Sequence, residues 1–259
     1  MHAVKIKLIL LTPLFLLLTH YLAVFPHEYA HSFMAWVLGY KSNPLAINYG
    51  GTSWPNLLLL THIDEQVDYA MIFSAGHNHE AALIAFAGAG IANGLLFILS
   101  FWLLSRERVQ QQPYLFYFMF LFNLMNLGNF YDYVPIRTFV THGDVAHVVM
   151  GLGISPWGVY ACGGYLVACL IWHFFTRTMI LAFISLNFVS TSLKASLMVL
   201  CVAVLFGFFA IPGFFGYGDI SYFLSATSFL AIPGLIVALW PTRAWVLRQL
   251  SVIGQPLHH

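Results

Sequence analysis

Six stretches of this 259-residue chain are almost wholly apolar and long enough to cross a bilayer: 6–39, 80–104, 114–134, 156–176, 193–214 and 221–241. One crossing takes about 20 residues of helix. The bilayer core offers no water to bond the backbone, so each stretch must satisfy its own amides by folding as a helix. Charged residues make up 7% of the chain, against about 25% in a soluble domain. The expected fold is therefore an all-α, multi-pass integral membrane protein, a polytopic bundle of about six transmembrane helices. The first stretch is overlong for one crossing, and Pro26 is expected to kink it. Behind Lys5 and Lys7 its start resembles a signal peptide, but the apolar run continues with no small-residue cleavage site and reads as an uncleaved anchor. Residues 179–189 are apolar but short, and fit a re-entrant or interfacial piece.

Basic residues set the expected orientation. With a cytoplasmic N-terminus, Lys5, Lys7, Arg106, Arg108, Arg177, Lys194, Arg243 and Arg248 fall on the cytoplasmic side, and only Lys41 and Arg137 fall outside. That bias favours six crossings with both termini cytoplasmic. A net charge of +1 selects no charged partner and gives no footing for nucleic acid. The lipid bilayer is the partner that composition demands, and oligomeric state is left open. Cys162, Cys169 and Cys201 sit apart in apolar segments and read as small core residues, not as a disulfide or metal framework.

Chemistry concentrates in the first stretch, which contains His27-Glu28-Tyr29-Ala30-His31. On a helix His27 and His31 share one face, one turn apart, so two imidazoles can bind one Zn²⁺ while Glu28 acts as general base. Ionisable groups this deep in an apolar run are costly, which makes a functional role the default. A catalytic zinc also needs a third protein ligand. Asp144 and Asp132 are the carboxylate candidates, in the polar cluster from Asn123 through Arg137 to His147, which also holds His142. Each has a bland alternative, Asp132 at the membrane surface and Asp144 as a helix cap. His77, His79 and Glu80 have no ligand spacing and read as interfacial residues at the mouth of a span. Asn93 follows a run of small residues, Ala87 to Ala92, whose plain reading is close helix packing with Gly90 and Gly94 as a small pair. An amide within a span needs a partner, so Asn93 is also a candidate to bond substrate backbone or a developing oxyanion. Between the first two stretches, residues 45–49, 57–61 and 67–73 are strand-like and separated by turn signals. They fit a small membrane-associated β-hairpin or sheet whose edge would take an extended peptide. An irregular connector fits them equally.

Taken together, the His-Glu-x-x-His motif within a span, the strand-like loop, the small-residue turn ending in Asn93 and a later Pro-then-Asp element resemble the site-2 protease family of intramembrane zinc metalloproteases. The resemblance covers about residues 15–150. It implies His27 and His31 as zinc ligands, Glu28 as general base, Asn93 as a catalytic residue and Asp144 as third ligand. Two positions depart from the family pattern: Gly90 stands at the usual Pro, and Asp132 at the Asn that precedes Pro135, with the acid arriving later as Gly143-Asp144. The implied activity is a zinc-dependent endopeptidase that cuts transmembrane segments of membrane proteins. Residues 1–150 would form its metalloprotease core and 151–259 additional helices of the same membrane domain. The competing reading is a non-proteolytic membrane adaptor or pseudoprotease on the same scaffold, which follows if neither aspartate reaches the histidines. A di-iron lipid oxidase would need several histidine pairs, and the chain has one.

Overall fold

The computed structural model describes residues 2–60 and 62–253, with side chains from residue 4. Helix α1, His2–Val37, is 36 residues long and contains both Pro13 and Pro26. At 1.5 Å per residue it measures about 54 Å, well beyond the roughly 30 Å bilayer core. The bend expected at Pro26 does not interrupt it, so the turn bearing His27 and His31 is a direct extension of the spanning helix.

The loop after α1 corrects one expectation. Among the described residues there is no β-strand, only a single antiparallel bridge between Asn48 and Asp64. Two short helices stand where strands were expected, α2 at Trp54–Leu59 and α3 at Tyr69–Ser74. Their start signals outweigh the apolar runs. Ser53 caps α2, with Pro55 in its first turn, and the Asp68 carboxylate accepts from the Met71 amide to cap α3. Thr61, the end of one expected strand, lies outside the described residues. Buried Asn56 holds the loop together by donating to the carbonyls of Tyr49 (2.7 Å) and Gly51 (2.8 Å) and accepting from the His62 amide (3.0 Å). The loop lies along the side of α1: Tyr21 donates to Leu57 O (2.6 Å) and Ser32 to Pro44 O (2.7 Å).

Helix α4, Asn78–Leu104, contains a π-helical turn at Ala87–Ala92. After a single turn at Glu107–Gln110 comes α5, Pro113–Tyr131, which ends in a second π-helical turn at Asp132–Ile136. Helix α6 is Asp144–Leu152, α7 Pro156–Ser185, α8 Thr191–Phe214, α9 Asp219–Leu239 and α10 Ala244–Ile253. Residues 179–185 are thus no separate re-entrant piece, since α7 runs through them after a π-helical turn at Phe174–Thr178.

Among the described residues five helices are long and apolar enough to cross a membrane: α1 from Val4, α4, α7, α8 and α9. They make the chain a multi-pass integral membrane protein. The expected third crossing, α5, has the length at 19 residues but is interrupted by Asn123, Asn126 and Asn129. Its place in the bundle explains their presence. Phe116, Phe120, Leu121, Leu124 and Leu127 of α5 are fully buried in the main hydrophobic cluster, so its polar groups meet protein rather than lipid. Asn123 donates to Ser100 Oγ of α4 at 2.9 Å.

A smaller apolar cluster joins α1, α3 and α4 through Ala35, Tyr69, Ile72, Ala81 and Ile84. Beside it α6 packs antiparallel to α4. A Cβ on Gly151 would stand 2.3 Å from Asn78 O and 2.7 Å from Ala82 Cβ, so glycine is required for that approach. The expected Gly90–Gly94 pair plays no such part. Gly90 meets the Phe86 ring of its own helix, and Gly94 faces open space.

Candidate metal centre

Three elements converge on the histidines. Helix α1 supplies His27 and His31, which are 3% and 1% exposed. Helix α6 supplies Asp144 at its first turn, after Gly143, whose φ of 84° and ψ of −177° suit glycine almost alone. Helix α4 supplies the wall behind them. The Asp144 Oδ2 atom lies 3.1 Å from His27 Nε2 and 3.2 Å from His31 Nε2, and the two Nε2 atoms are 3.0 Å apart.

The proton positions follow from the partners. The Phe122 carbonyl can only accept, so the Asn126 amino group faces it (2.9 Å) and Asn126 Oδ1 faces Asn93. Asn93 therefore turns its amino group toward Asn126 Oδ1 (3.0 Å) and Ala23 O (2.9 Å), leaving its Oδ1 toward His27 Nδ1 at 2.8 Å. His27 Nδ1 must then donate. In the same way His31 Nδ1 donates to the Ile84 carbonyl at 2.7 Å. In the neutral imidazole the opposite nitrogen carries the lone pair, so both Nε2 atoms face the carboxylate as acceptors.

Three acceptor atoms about 3 Å apart repel one another unless a proton or a metal ion lies between them. Donors 2.0–2.1 Å from a tetrahedral ion stand about 3.3 Å apart, close to the 3.0–3.2 Å spacing here. Outer partners that fix the tautomer of ligating histidines are the usual accompaniment of such a site. His27, His31 and Asp144 thus form a buried cluster fit to hold a metal ion.

Glu28 stands beside the cluster, its Oε1 4.0 Å from His27 Nε2. The His27 and His31 side chains are 4% and 1% exposed, Glu28 and Asp144 14% and 16%, so the cluster opens on its carboxylate side. Asn93, expected at substrate, is 0% exposed and has its three bonds committed to His27, Ala23 and Asn126. Asp132 lies elsewhere, paired with Arg137 at 2.6 Å. His142 stacks on Tyr217, and His147 stacks on Tyr69 with its ring centroid 4.0 Å away. Burial lowers the His147 pKa and favours its neutral form. His77 and Glu80 pair with each other at 3.3 Å, exposed at the start of α4.

Two residues at the cluster went unassigned in the sequence. A Cβ on Gly88 would stand 2.2 Å from His31 Nε2 and 2.7 Å from His27 Cε1, so only glycine lets α4 pass here. Its run of small residues was visible, but Gly90 and Gly94 offered the more regular spacing. Tyr133 stacks on His27 (5.2 Å, 17°) with its hydroxyl 2.9 Å from Nε2, and no motif marks it. No family model, no curated protein and no solved structure matches the chain.

Proposed function

We propose that this protein is an intramembrane zinc endopeptidase of the site-2 protease type, cleaving transmembrane segments of other membrane proteins. The observation that carries the proposal is the convergence of two imidazole Nε2 atoms and one carboxylate oxygen beside Glu28, within a bundle of long apolar helices. His27, His31 and Asp144 would hold the ion, and Asn93 and the Ile84 carbonyl would orient the rings. Bound zinc supplies Lewis acidity, polarising a carbonyl and making water a nucleophile near neutral pH. Glu28 takes the proton of the attacking water and delivers it to the leaving amide nitrogen. A substrate helix must unwind locally to present its carbonyl, because its amides are otherwise bonded within the helix. Asp144 at 3.1 and 3.2 Å from the histidines favours this reading over a non-proteolytic adaptor, which presumed that no carboxylate reaches them.

The test is metal removal. Purified protein in vesicles with a single-span reporter is expected to cleave it, to stop when a zinc chelator strips the ion, and to resume when zinc is returned. Cleavage that persists in the stripped protein contradicts the proposal. The proposed orientation puts both termini in the cytoplasm, although Met1 and residues 254–259 lie outside the described residues. Reporter fusions after Arg108 and at the C-terminus should both report cytoplasm, and one within residues 50–60 the opposite side. A cytoplasmic signal from the 50–60 fusion would overturn that orientation.

A further inference from the structure

We propose that Tyr133 is a further catalytic residue, whose hydroxyl donates a hydrogen bond to the carbonyl oxygen of the bond being cut. The inference rests on the metalloprotease reading above. The helical path breaks just after Tyr133, within the π-helical turn that follows α5: Val134 is extended (φ −140°, ψ 108°). The Tyr133 ring lies against His27, 17° from parallel, and the Arg137 guanidinium sits over the same ring, 4.1 Å from its centroid. Arg137 is itself fixed by Asp132 at 2.6 Å and by Tyr217 at 3.4 Å. The phenol is therefore held by two stacked neighbours, one of which is anchored by a buried ion pair.

Its hydroxyl lies 2.9 Å from His27 Nε2, an atom whose lone pair faces the cluster. That nitrogen has one lone pair. His27 would give that pair to a cation held in the cluster, and the Tyr133 hydroxyl would then donate to another acceptor. The acceptor entering the site is the scissile carbonyl. As the water oxygen bonds to the carbonyl carbon, the water's proton passes to Glu28 and the carbonyl π pair moves onto its oxygen. The Tyr133 hydroxyl donates to that oxygen without giving up its proton. The C–N bond then breaks, the electron pair returns to re-form the carbonyl, and Glu28 protonates the departing nitrogen. A donor aimed at charge that develops only in the transition state lowers the barrier rather than tightening substrate binding.

Tyr133→Phe keeps the ring and its stacking while removing the donor. Tyr165→Phe removes a hydroxyl from a residue of α7 that is 77% exposed and serves as the control. Three quantities are compared with the unsubstituted chain: zinc per chain, affinity for a leucine phosphinic dipeptide as a tetrahedral mimic, and kcat and KM on a single-span reporter. For Tyr133→Phe the expected result is unchanged zinc, phosphinate binding about 10–100-fold weaker, and kcat about 10²–10³-fold lower at similar KM. Tyr165→Phe is expected to match the unsubstituted chain in all three. Unchanged phosphinate affinity and kcat in a zinc-bearing Tyr133→Phe variant would overturn this inference alone. Loss of zinc from that variant would also overturn it, since the hydroxyl would then be needed to build the site. An unsubstituted chain that binds no zinc overturns the metal-site reading and this inference with it.

Discussion

Glu28→Gln is expected to keep about one zinc per chain while losing cleavage by about 10²–10⁴-fold, the range ascribed to general acid–base catalysis. The expectation rests on where the carboxylate stands. Its Oε1 is 4.0 Å from His27 Nε2, outside the group of three atoms that lie 3.0–3.2 Å apart. It is close enough to reach a water held by that group, and it lies on the cluster's more exposed side. The amide keeps the shape of the side chain but cannot accept the proton. Metal analysis and reporter cleavage on the same preparation separate the two effects. Loss of zinc together with activity would make Glu28 a ligand, and full activity would remove it from the mechanism.

The second large effect is expected at Asp144. Asp144→Ala should lose cleavage and most of the bound zinc, because two imidazoles alone make an incomplete site. Its cost in zinc affinity should exceed the 10–100-fold typical of losing an outer partner. Asp132→Ala should behave differently. Asp132 pairs with Arg137 at 2.6 Å, and the Arg137 side chain is 18% exposed, so loss of Asp132 leaves a partly buried guanidinium without its carboxylate, at a cost below the roughly 3–5 kcal/mol of a fully buried pair. Zinc should remain bound while the melting temperature falls. Equilibrium dialysis against a zinc buffer, with thermal unfolding in parallel, distinguishes the two variants. Zinc lost from Asp132→Ala but kept in Asp144→Ala would reverse the assignment.

These contrasts also show which features local sequence carried. The spacing of His27 and His31 lies within one turn of helix, so their shared face needed no tertiary information. The apolar stretches at 6–39, 80–104, 193–214 and 221–241 correspond closely to α1, α4, α8 and α9 for the same reason. Features that depend on packing between distant segments were harder to read. Asn126 is buried mid-helix, and only its contact with Asn93 from α4 shows that it fixes the His27 tautomer. Gly88 looked like one of several small residues until α1 was placed against it. The loop is ambiguous in sequence because a short apolar run such as 57–61 suits strand and helix alike, and the cap at Ser53 decides for helix over Trp54–Leu59. Asp144 lies 117 residues from His27 in sequence, and its approach depends on α6 packing against α4 through Gly151.

His27, His31 and Asp144 are fit to hold one metal ion, proposed to be zinc. The most direct test of that proposal is metal analysis of the purified chain and its His27→Ala/His31→Ala double variant, each equilibrated with a limiting zinc buffer. The expected result is about one zinc per unsubstituted chain and almost none in the double variant, both keeping the same helical content. An unsubstituted chain without zinc, or a double variant with as much zinc as its parent, would contradict it.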